Sequence, residues 1–417
     1  MPSQLKQSVL ELVRDPAVAG IVVETEYQPL GGRNVAVAPP TYARQQGDND
    51  RTPQHAVSEN AFVPARNRDG WLVDIARDEN CRPCTAARVI IDSVGSQSGR
   101  NEAGLWNSQD RLGARLPGIS ITVPDDVLSA ERDPEIVSAL RAEVSSWTAA
   151  HRHADAWARF AETDGGKQVW QQNGQIRELI TTTSAATGEQ LYRYFPNSAI
   201  FGFWLSSGVA ARHKLPRSYS SEIIGYGAVP NVTGATKLDP TGGASEKSRV
   251  GFKNGELVVG KTGVEPSKAG FGQIPGQPMT TGYICELILQ QASISLAVLR
   301  SISFENREIK DAALTVLTLL AMTGHELAAE DGFLRSHCSL LATVQRWGSM
   351  RQGQADPITL DVGGLDDLVG ALQEAITDAE SLGLRFAEPI RLNFSEAQRK
   401  LIAERVENER SKQTREN

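Results

Sequence analysis

The chain has 417 residues, 40% of them hydrophobic, so it can bury a large core and is not a disordered adaptor. Its net charge of -7 excludes a protein that coats nucleic acid over its whole surface, because phosphate binding requires Lys and Arg. Four cysteines are too few for a disulfide framework, and we see no secretory signal and no apolar run approaching bilayer length, so we expect a soluble cytoplasmic protein without a membrane partner.

The first part of the chain predicts one helix, two strands and a long loop. Residues 4–13 have helical apolar spacing, and residues 20–26 read as a strand that ends at a Pro-Leu-Gly-Gly turn. Residues 44–70 are polar without periodicity, so we expect a loop or partial disorder. Residues 87–92 are apolar and β-branched, the pattern of a buried strand, and Gly95 and Gly99 follow it.

The later elements alternate in type, which gives an α+β fold class. Apolar spacing is helical over residues 131–162, with an interruption at 149–155, and residues 191–204 look like a strand rich in aromatic residues. The remaining predictions are a strand at 283–294, helices at 309–327 and 365–379, and a charged helix or tail at 394–417.

A Gly-rich insertion separates these elements. Residues 225–282 are dense in Gly, Pro, Ser and Thr, and residues 249–259 contain the Asn254-Gly255 signal of a two-residue hairpin turn. We therefore predict a projecting arm within a body that spans residues 1–393. A local excess of cations runs from 193 to 253 and is set against Glu222, Asp239 and Glu246; the cations are Arg193, Arg212, Lys214, Arg217, Lys237, Lys247, Arg249 and Lys253.

Two short motifs have enzymatic or metal-binding interpretations. Residues 255–262 satisfy the Gly-x4-Gly-Lys-Thr pattern of a phosphate-binding loop, but the intervening residues are strand-like and Gly and Pro follow where the mechanism needs a helix. Cys81 and Cys84 have the spacing of half a zinc site, and the alternative is a pair of loop thiols without metal. We expect neither a cofactor nor a metal.

Two polar clusters have binding interpretations. The segment from Asp92 to Glu102 follows a strand and enters a helix, so its amides and hydroxyls suit a phosphate or a ribose 2′-hydroxyl; the alternative is helix capping by Ser93 or Ser96. For the cluster from His151 to Asp155 we favour a structural or RNA-phosphate role over acid-base chemistry. No nucleophile-base arrangement can be assembled, so we assign no catalytic residue.

Several blocks, in order along the chain, resemble one known family. They are Pro39-Pro-Thr-Tyr42, Arg88-Val-Ile-Ile-Asp92-Ser93-Val-Gly-Ser96-Gln97 with Asn101-Glu102, His151-Arg152-His-Ala-Asp155, Ile200-Phe-Gly-Phe-Trp204, Arg217-Ser-Tyr-Ser-Ser-Glu-Ile-Ile-Gly-Tyr226 with Asp239-Pro240, and Leu334-Arg-Ser-x-Cys338. Together they are similar to the RAMP-superfamily backbone subunit of the type I-G (formerly I-U) CRISPR Cascade complex, from about residue 31 to residue 340.

The resemblance implies a fold and a set of partners. The fold is an RRM-like (ferredoxin-like) palm with inserted fingers and thumb, and residues 225–282 are the candidate thumb or finger. The partners are guide crRNA, target DNA paired to the guide, further copies of the chain, the large subunit, the RAMP cap and processing subunit, and a recruited helicase-nuclease. Base pairing would read the sequence, so the protein should contact phosphate and ribose.

The resemblance also implies RNA-binding positions within the matched blocks, to which we add three residues on charge alone, Arg212, Lys214 and Lys237. The residues from the blocks are Ser93, Ser96, Gln97, Asn101, Arg152, Arg217, Ser220 and Ser221. Two enzymatic alternatives stay open. One is a metal-dependent RAMP ribonuclease, for which Asp239 is the acidic candidate, and the other is a nucleoside triphosphatase at residues 255–262.

Overall fold

The computed structural model describes residues 3–43, 54–171, 174–210, 212–234, 249–253, 256–260, 263–264, 279–330 and 332–415. It contains a large antiparallel sheet whose strands are, in chain order, β1 (Val18–Pro29), β2 (Val57–Phe62), β3 (Thr85–Asp92), β4 (Tyr219–Tyr226), β5 (Leu287–Ser295), β6 (Phe333–Arg335), β7 (Cys338–Arg351) and β8 (Ile358–Thr359). The spatial order is β6-β7-β1-β5-β4-β3-β2, with β8 beside β7.

The chain has two compact units, and the first, which contains this sheet, also contains four longer helices. They are α1 (Gln4–Arg14), α2 (Val94–Asn107), α3 (Arg307–Ala329) and α4 (Leu365–Ser381). The chain passes through α2 between β1 and β4, and through α3 between β5 and β7. The central order β7-β1-β5-β4 with these two crossovers is the split β-α-β arrangement of the ferredoxin-like fold. The predicted α+β class and ferredoxin-like palm are therefore confirmed, with β3 and β2 as additional strands at one edge.

The core lies between the sheet and α3, which packs against α1, α2 and α4. Alternate residues of the strands enter this core, among them Tyr27 of β1, Ile91 of β3, Ile223 of β4 and Ile288 of β5. Contrary to the sequence expectation, α3 is long and apolar enough to cross a membrane, but 78% of its apolar stretch is buried inside the protein. That burial is what a core helix requires.

One predicted strand is wrong. Residues 191–204 form two short helices, Gly188–Tyr194 and Pro196–Phe201, before a three-residue strand, Phe203–Leu205. Pro196 starts the second helix, where its missing N–H costs nothing. The aromatic residues are frequent because Tyr192, Phe195 and Phe201 are buried, and burial favours aromatic side chains in helices as well as in strands.

Two other predictions need correction in part. Residues 44–53 lie outside the described residues, but the rest of the predicted loop at 44–70 contains β2, whose residues are mostly exposed. This edge strand is held by its ladder with β3, which requires no apolar pattern. Within residues 131–162 only Pro134–Leu140 and Ala156–Phe160 are α-helical.

The other predicted helices and strands are present, except that the strand predicted at 283–294 is divided into Met279–Ile284 and β5. The described residues contain further helices, 3-10 turns and strands. These are the helices Gln109–Leu112, Asp125–Ala130, Gln175–Thr182, Leu296–Arg300 and Glu396–Arg415, the 3-10 turns Arg152–Ala154 and Val169–Gln171, and the strands Thr41–Tyr42, Gln54–His55, Pro64–Ala65, Asp74–Ile75, Ile119–Thr122, Val144–Ser145, His213–Leu215, Val229–Thr233, Arg249–Lys253, Glu256–Gly260, Met279–Ile284 and Ile390–Asn393.

A second compact unit contains residues 122–143, 230–282 and 393–417. It includes the two strands of the predicted hairpin, since Arg249–Lys253 pairs with Glu256–Gly260, whereas the predicted turn residues Asn254 and Gly255 lie outside the described residues. Within this unit the helix Glu396–Arg415 is held to residues 133–135 by Arg410, which donates to both carboxylate oxygens of Asp133 at 2.6 and 2.8 Å. The body over 1–393 and the thumb or finger role of 225–282 stay predictions.

Candidate nucleic-acid interface and its buried support

The turn between β3 and α2 is a capped helix start. The Ser93 hydroxyl accepts a hydrogen bond from the backbone N–H of Ser96 at 3.4 Å, which is the capping interpretation of this segment. Ser93 and Ser96 are half-buried, so part of each remains open to solvent. Contact of these two residues with RNA stays a prediction.

Asp92, the last residue of β3, is the acceptor for three side-chain donors. Its carboxylate is 1% exposed and accepts from Gln97 at 2.6 Å, from Arg100 Nε at 3.1 Å and from Arg335 at 2.9 Å. A buried carboxylate needs such donors, since an unpaired charge in the interior is costly. Asp92 therefore ties the start of α2 and the end of β6 to the sheet.

Gln97 and Ser221, two predicted RNA contacts, lie in one buried chain of hydrogen bonds. Gln97 Oε1 accepts from Gln290 Nε2 at 2.8 Å and from the Ser221 hydroxyl at 3.4 Å. The Tyr27 hydroxyl donates to Gln290 Oε1 at 2.8 Å. Both predicted residues are at most 2% exposed, so in this structure they support the sheet and helix rather than face a ligand.

Asn101, one turn further along α2, is fully buried with Tyr219 and His325. Asn101 Nδ2 donates to the Tyr219 hydroxyl at 3.1 Å, and that hydroxyl lies 2.9 Å from His325 Nδ1. Burial lowers the pKa of His325 to about 4 and raises that of Tyr219, so both groups are neutral at ordinary pH. Asn101 Oδ1 and His325 Nε2 have no hydrogen-bond partner among the described residues.

The Arg152 guanidinium forms hydrogen bonds with two protein groups. It donates to the Glu102 carboxylate through Nε at 2.8 Å and Nη2 at 2.7 Å, and to the carbonyl of Gly202 through Nη1 at 2.9 Å. Its side chain also lies over the Phe201 ring. Burial raises the pKa of Glu102, and Arg152 and Asn197 oppose that shift. In this structure Arg152 joins α2 to the chain before residue 203.

Three predicted cations behave differently, because Arg212 and Lys214, predicted from charge, and Arg217, predicted from the resemblance, are all exposed. None of the three forms an ion pair with another residue in the described part of the chain. Lys214 lies in the strand His213–Leu215, which pairs with Phe203–Leu205 to form a short two-stranded ribbon. We call these two strands, with Arg212 and Arg217, the basic ribbon. Lys237 lies outside the described residues.

Trp204, in the basic ribbon, is a candidate that the sequence analysis did not single out. Its side chain is 64% exposed, and it lies opposite Lys214, whose Nζ is 5.8 Å from the ring centroid. The neighbours Phe203 and Leu205 are buried. The apolar residues on both sides of Trp204 were the available signal, since period-two alternation puts the middle residue on the solvent face.

Ser220 lines a groove on the open face of the sheet. The groove has a volume of about 270 Å³ and is also lined by Val22, Glu24, Trp71 and Glu222. Burial raises the pKa of Glu24, although the Leu72 N–H at 2.6 Å and Arg346 oppose this. With two acidic side chains in its wall, the groove does not favour a phosphate.

The remaining motifs do not converge on a site. Glu256–Gly260 is a strand, whereas a phosphate-binding loop requires irregular backbone there, and Lys261 and Thr262 lie outside the described residues, as does Asp239. Asp155 caps the helix Ala156–Phe160 by accepting from Trp157 N–H, which is a structural role. Cys81 is exposed, and the described residues include no cluster of three His, Cys, Asp or Glu suited to a metal.

Comparison with known proteins gives one family. The profile described as "CRISPR-associated protein GSU0053" matches residues 21–230, half of the chain. No curated protein matches the sequence. A chain from a solved structure titled "CRISPR RNA-guided surveillance complex, pre-nicking" is similar with 10% identity and a TM-score of 0.30, over 93% of this chain and 99% of that chain. A TM-score of this size does not establish a common fold, so the sequence match carries the assignment: the chain belongs to the family of CRISPR-associated protein GSU0053.

Proposed function

We propose that the protein is the guide-binding backbone subunit of a type I-G CRISPR surveillance complex. Several copies bind along the crRNA and present its bases for pairing with target DNA, together with the other Cascade subunits and a recruited helicase-nuclease. The protein acts in the cytoplasm and does not itself cut nucleic acid. The family membership supports a CRISPR role, and the motif blocks support the subtype.

The observation that carries RNA binding is the basic ribbon. Three exposed cations lie within six residues of each other on a chain whose net charge is -7, and among the described residues none of them has a carboxylate oxygen within 4 Å, although the charge of Arg217 does act on Glu102. Unpaired cations concentrated on one element of an acidic protein favour a polyanion at that element. The acidic groove on the open sheet face then does not compete for the phosphates.

The test removes these cations as a set. The triple variant Arg212→Ala, Lys214→Ala, Arg217→Ala should bind guide RNA more weakly, and the slope of log K against log salt should fall by about 2, since each lost phosphate contact on a single strand contributes about 0.7. The matched control is Arg132→Ala, Arg141→Ala, Arg405→Ala, which removes the same charge from exposed positions of the second unit.

Purification gives an independent test. Expression with and without the neighbouring CRISPR array, followed by a denaturing gel, should show guide-sized RNA only when the array is present. If both triple variants lose RNA affinity equally, the loss reflects the net charge of the protein and not the position of the cations. Metal-dependent cutting of complementary RNA that disappears in Asp239→Ala would make the protein a ribonuclease instead.

A further inference from the structure

Trp204 is an exposed aromatic side chain with an unusual setting. Within residues 161–228, among those that the structure describes, it is the one large apolar side chain that is strongly exposed. Single exposed apolar residues are common, so exposure alone assigns no role. The cations around the ring and the rigid attachment of its strand are the two further observations that do.

Two exposed cations accompany the ring. Lys214 is directly opposite Trp204 in the ribbon, and Arg212 is exposed immediately before the strand that contains Lys214. The Lys214 ammonium lies 5.8 Å from the ring centroid, within cation-π distance, and covers only one face of the indole. The large exposed fraction leaves the other face open to a ligand.

The strand that contains Trp204 is held in place by buried contacts. Phe203 packs against His153, with ring centroids 4.6 Å apart, and Leu205 is 1% exposed. Gly202 has φ of +76°, and a Cβ there would lie 2.7 Å from the Leu215 carbonyl oxygen, so only glycine permits this close crossing. Because Arg152 also donates to the Gly202 carbonyl, the ring is presented by a rigid element.

We propose that Trp204 stacks against a nucleobase of single-stranded guide RNA, while Lys214 and Arg212 bind the adjoining phosphates. This inference rests on the proposed function and names the mode of contact. An open indole face flanked by cations matches a chain that alternates flat bases with phosphates. A protein partner would require a wider apolar patch than one ring, and the exposed residue paired with Trp204 is Lys214. Stacking also tolerates any base, as a guide of variable sequence requires.

The test uses the full-length protein and a single-stranded uridine oligonucleotide, with the array-derived guide as a second probe. Trp204→Ala should weaken binding by about 5- to 150-fold, the range for losing one base-aromatic stack. The salt slope should stay unchanged, because stacking releases no counterion, whereas Lys214→Ala should lower that slope by about 0.7. Trp204→Phe should retain most of the affinity, and Phe333→Ala, which truncates another exposed aromatic residue, should have no effect.

Two further measurements separate the outcomes. An oligonucleotide with abasic positions should bind wild type and Trp204→Ala equally, and RNA should quench tryptophan fluorescence in wild type but not in Trp204→Phe. If the wild type binds RNA and Trp204→Ala binds it with the same affinity, the stacking inference is overturned and the proposed function stays intact. Loss of assembly between copies without loss of RNA affinity would assign Trp204 to a protein interface. Absence of any RNA binding by the wild type would overturn both proposals.

Discussion

Replacing Arg152 by Ala tests whether this residue holds the fold or contacts RNA. The side chains of Arg152 and Glu102 are 13% and 5% exposed, and their two hydrogen bonds are 2.7 and 2.8 Å long. Removing one partner of such a pair leaves a buried charge, which costs about 3–5 kcal/mol of unfolding free energy. The Gly202 carbonyl would also lose a charged donor, which adds about 1 kcal/mol.

The loss should depend on pH in a way that identifies its cause. Burial already raises the pKa of Glu102, and without Arg152 the strongest opposing group is lost and only the weaker effects of Asn197 and Arg217 remain. A raised carboxyl pKa gives stability that is present at low pH and is lost as pH rises through the folded-state value. The variant should therefore recover part of its stability relative to wild type as pH falls from neutral and Glu102 takes up a proton.

The assay is urea denaturation of four proteins: wild type, Arg152→Ala, Glu102→Gln and the double variant. The two single changes should not add, and the coupling should be about 1–3 kcal/mol. Arg68→Ala removes an exposed arginine of the same unit and serves as the control. A loss below 1 kcal/mol in Arg152→Ala, combined with weaker RNA binding and a smaller salt slope, would refute the structural role and restore Arg152 as an RNA contact.

Two other buried groups give testable predictions. Burial lowers the pKa of His153 to about 3, so between pH 6.5 and that value only the unfolded chain takes up a proton at this residue. Between pH 6 and 4, wild type should therefore lose stability relative to His153→Asn by about 1.4 kcal/mol per pH unit. Equal pH profiles of the two proteins in urea titrations would contradict this. Asp92→Asn should lower the unfolding free energy by about 3 kcal/mol, because Arg100 and Arg335 lose their carboxylate partner. The folded fraction of this variant should bind RNA with the wild-type salt slope. A loss of unfolding free energy below 1 kcal/mol would show that the two arginines find other partners.

Strands β1, β3 and β5 and helices α3 and α4 could be predicted from the sequence because their apolar residues form recognisable patterns, whereas β4 and β7 were not predicted. In β1 the apolar run Ile21-Val-Val23 belongs to a central strand in which even Glu24 is 3% exposed, and α3 is mostly apolar between residues 313 and 322, where it is buried all round. Prediction from apolar pattern fails at residues 191–204, because aromatic residues indicate that a segment is buried but not whether it is helical or extended. It also fails for β2, whose residues are mostly exposed and which pairs with β3 through a backbone ladder.

Polar residues were harder to assign because a sequence does not show where a polar side chain points. Gln97, Asn101 and Ser221 fit an RNA site by residue type, yet each is buried and hydrogen-bonded within the protein. Arg212 and Lys214 were chosen on charge alone, and they are exposed. Unpaired charge is a dependable sign of exposure since burying it is so costly, whereas amides and hydroxyls are readily satisfied in the interior.

The buried polar residues and the exposed ribbon are parts of one arrangement. Asp92 fixes the start of α2, Glu102 on the same helix binds Arg152, and Arg152 binds the carbonyl of Gly202, next to the strand that carries Trp204. The motif blocks thus supply a chain of contacts from the sheet to the basic ribbon. On the proposed function, a site that accepts every guide must rely on the placement of charges and rings rather than on base edges. The proposal then assigns two roles: buried residues of the motif blocks hold the interface in position, and exposed residues outside the buried network make the contacts.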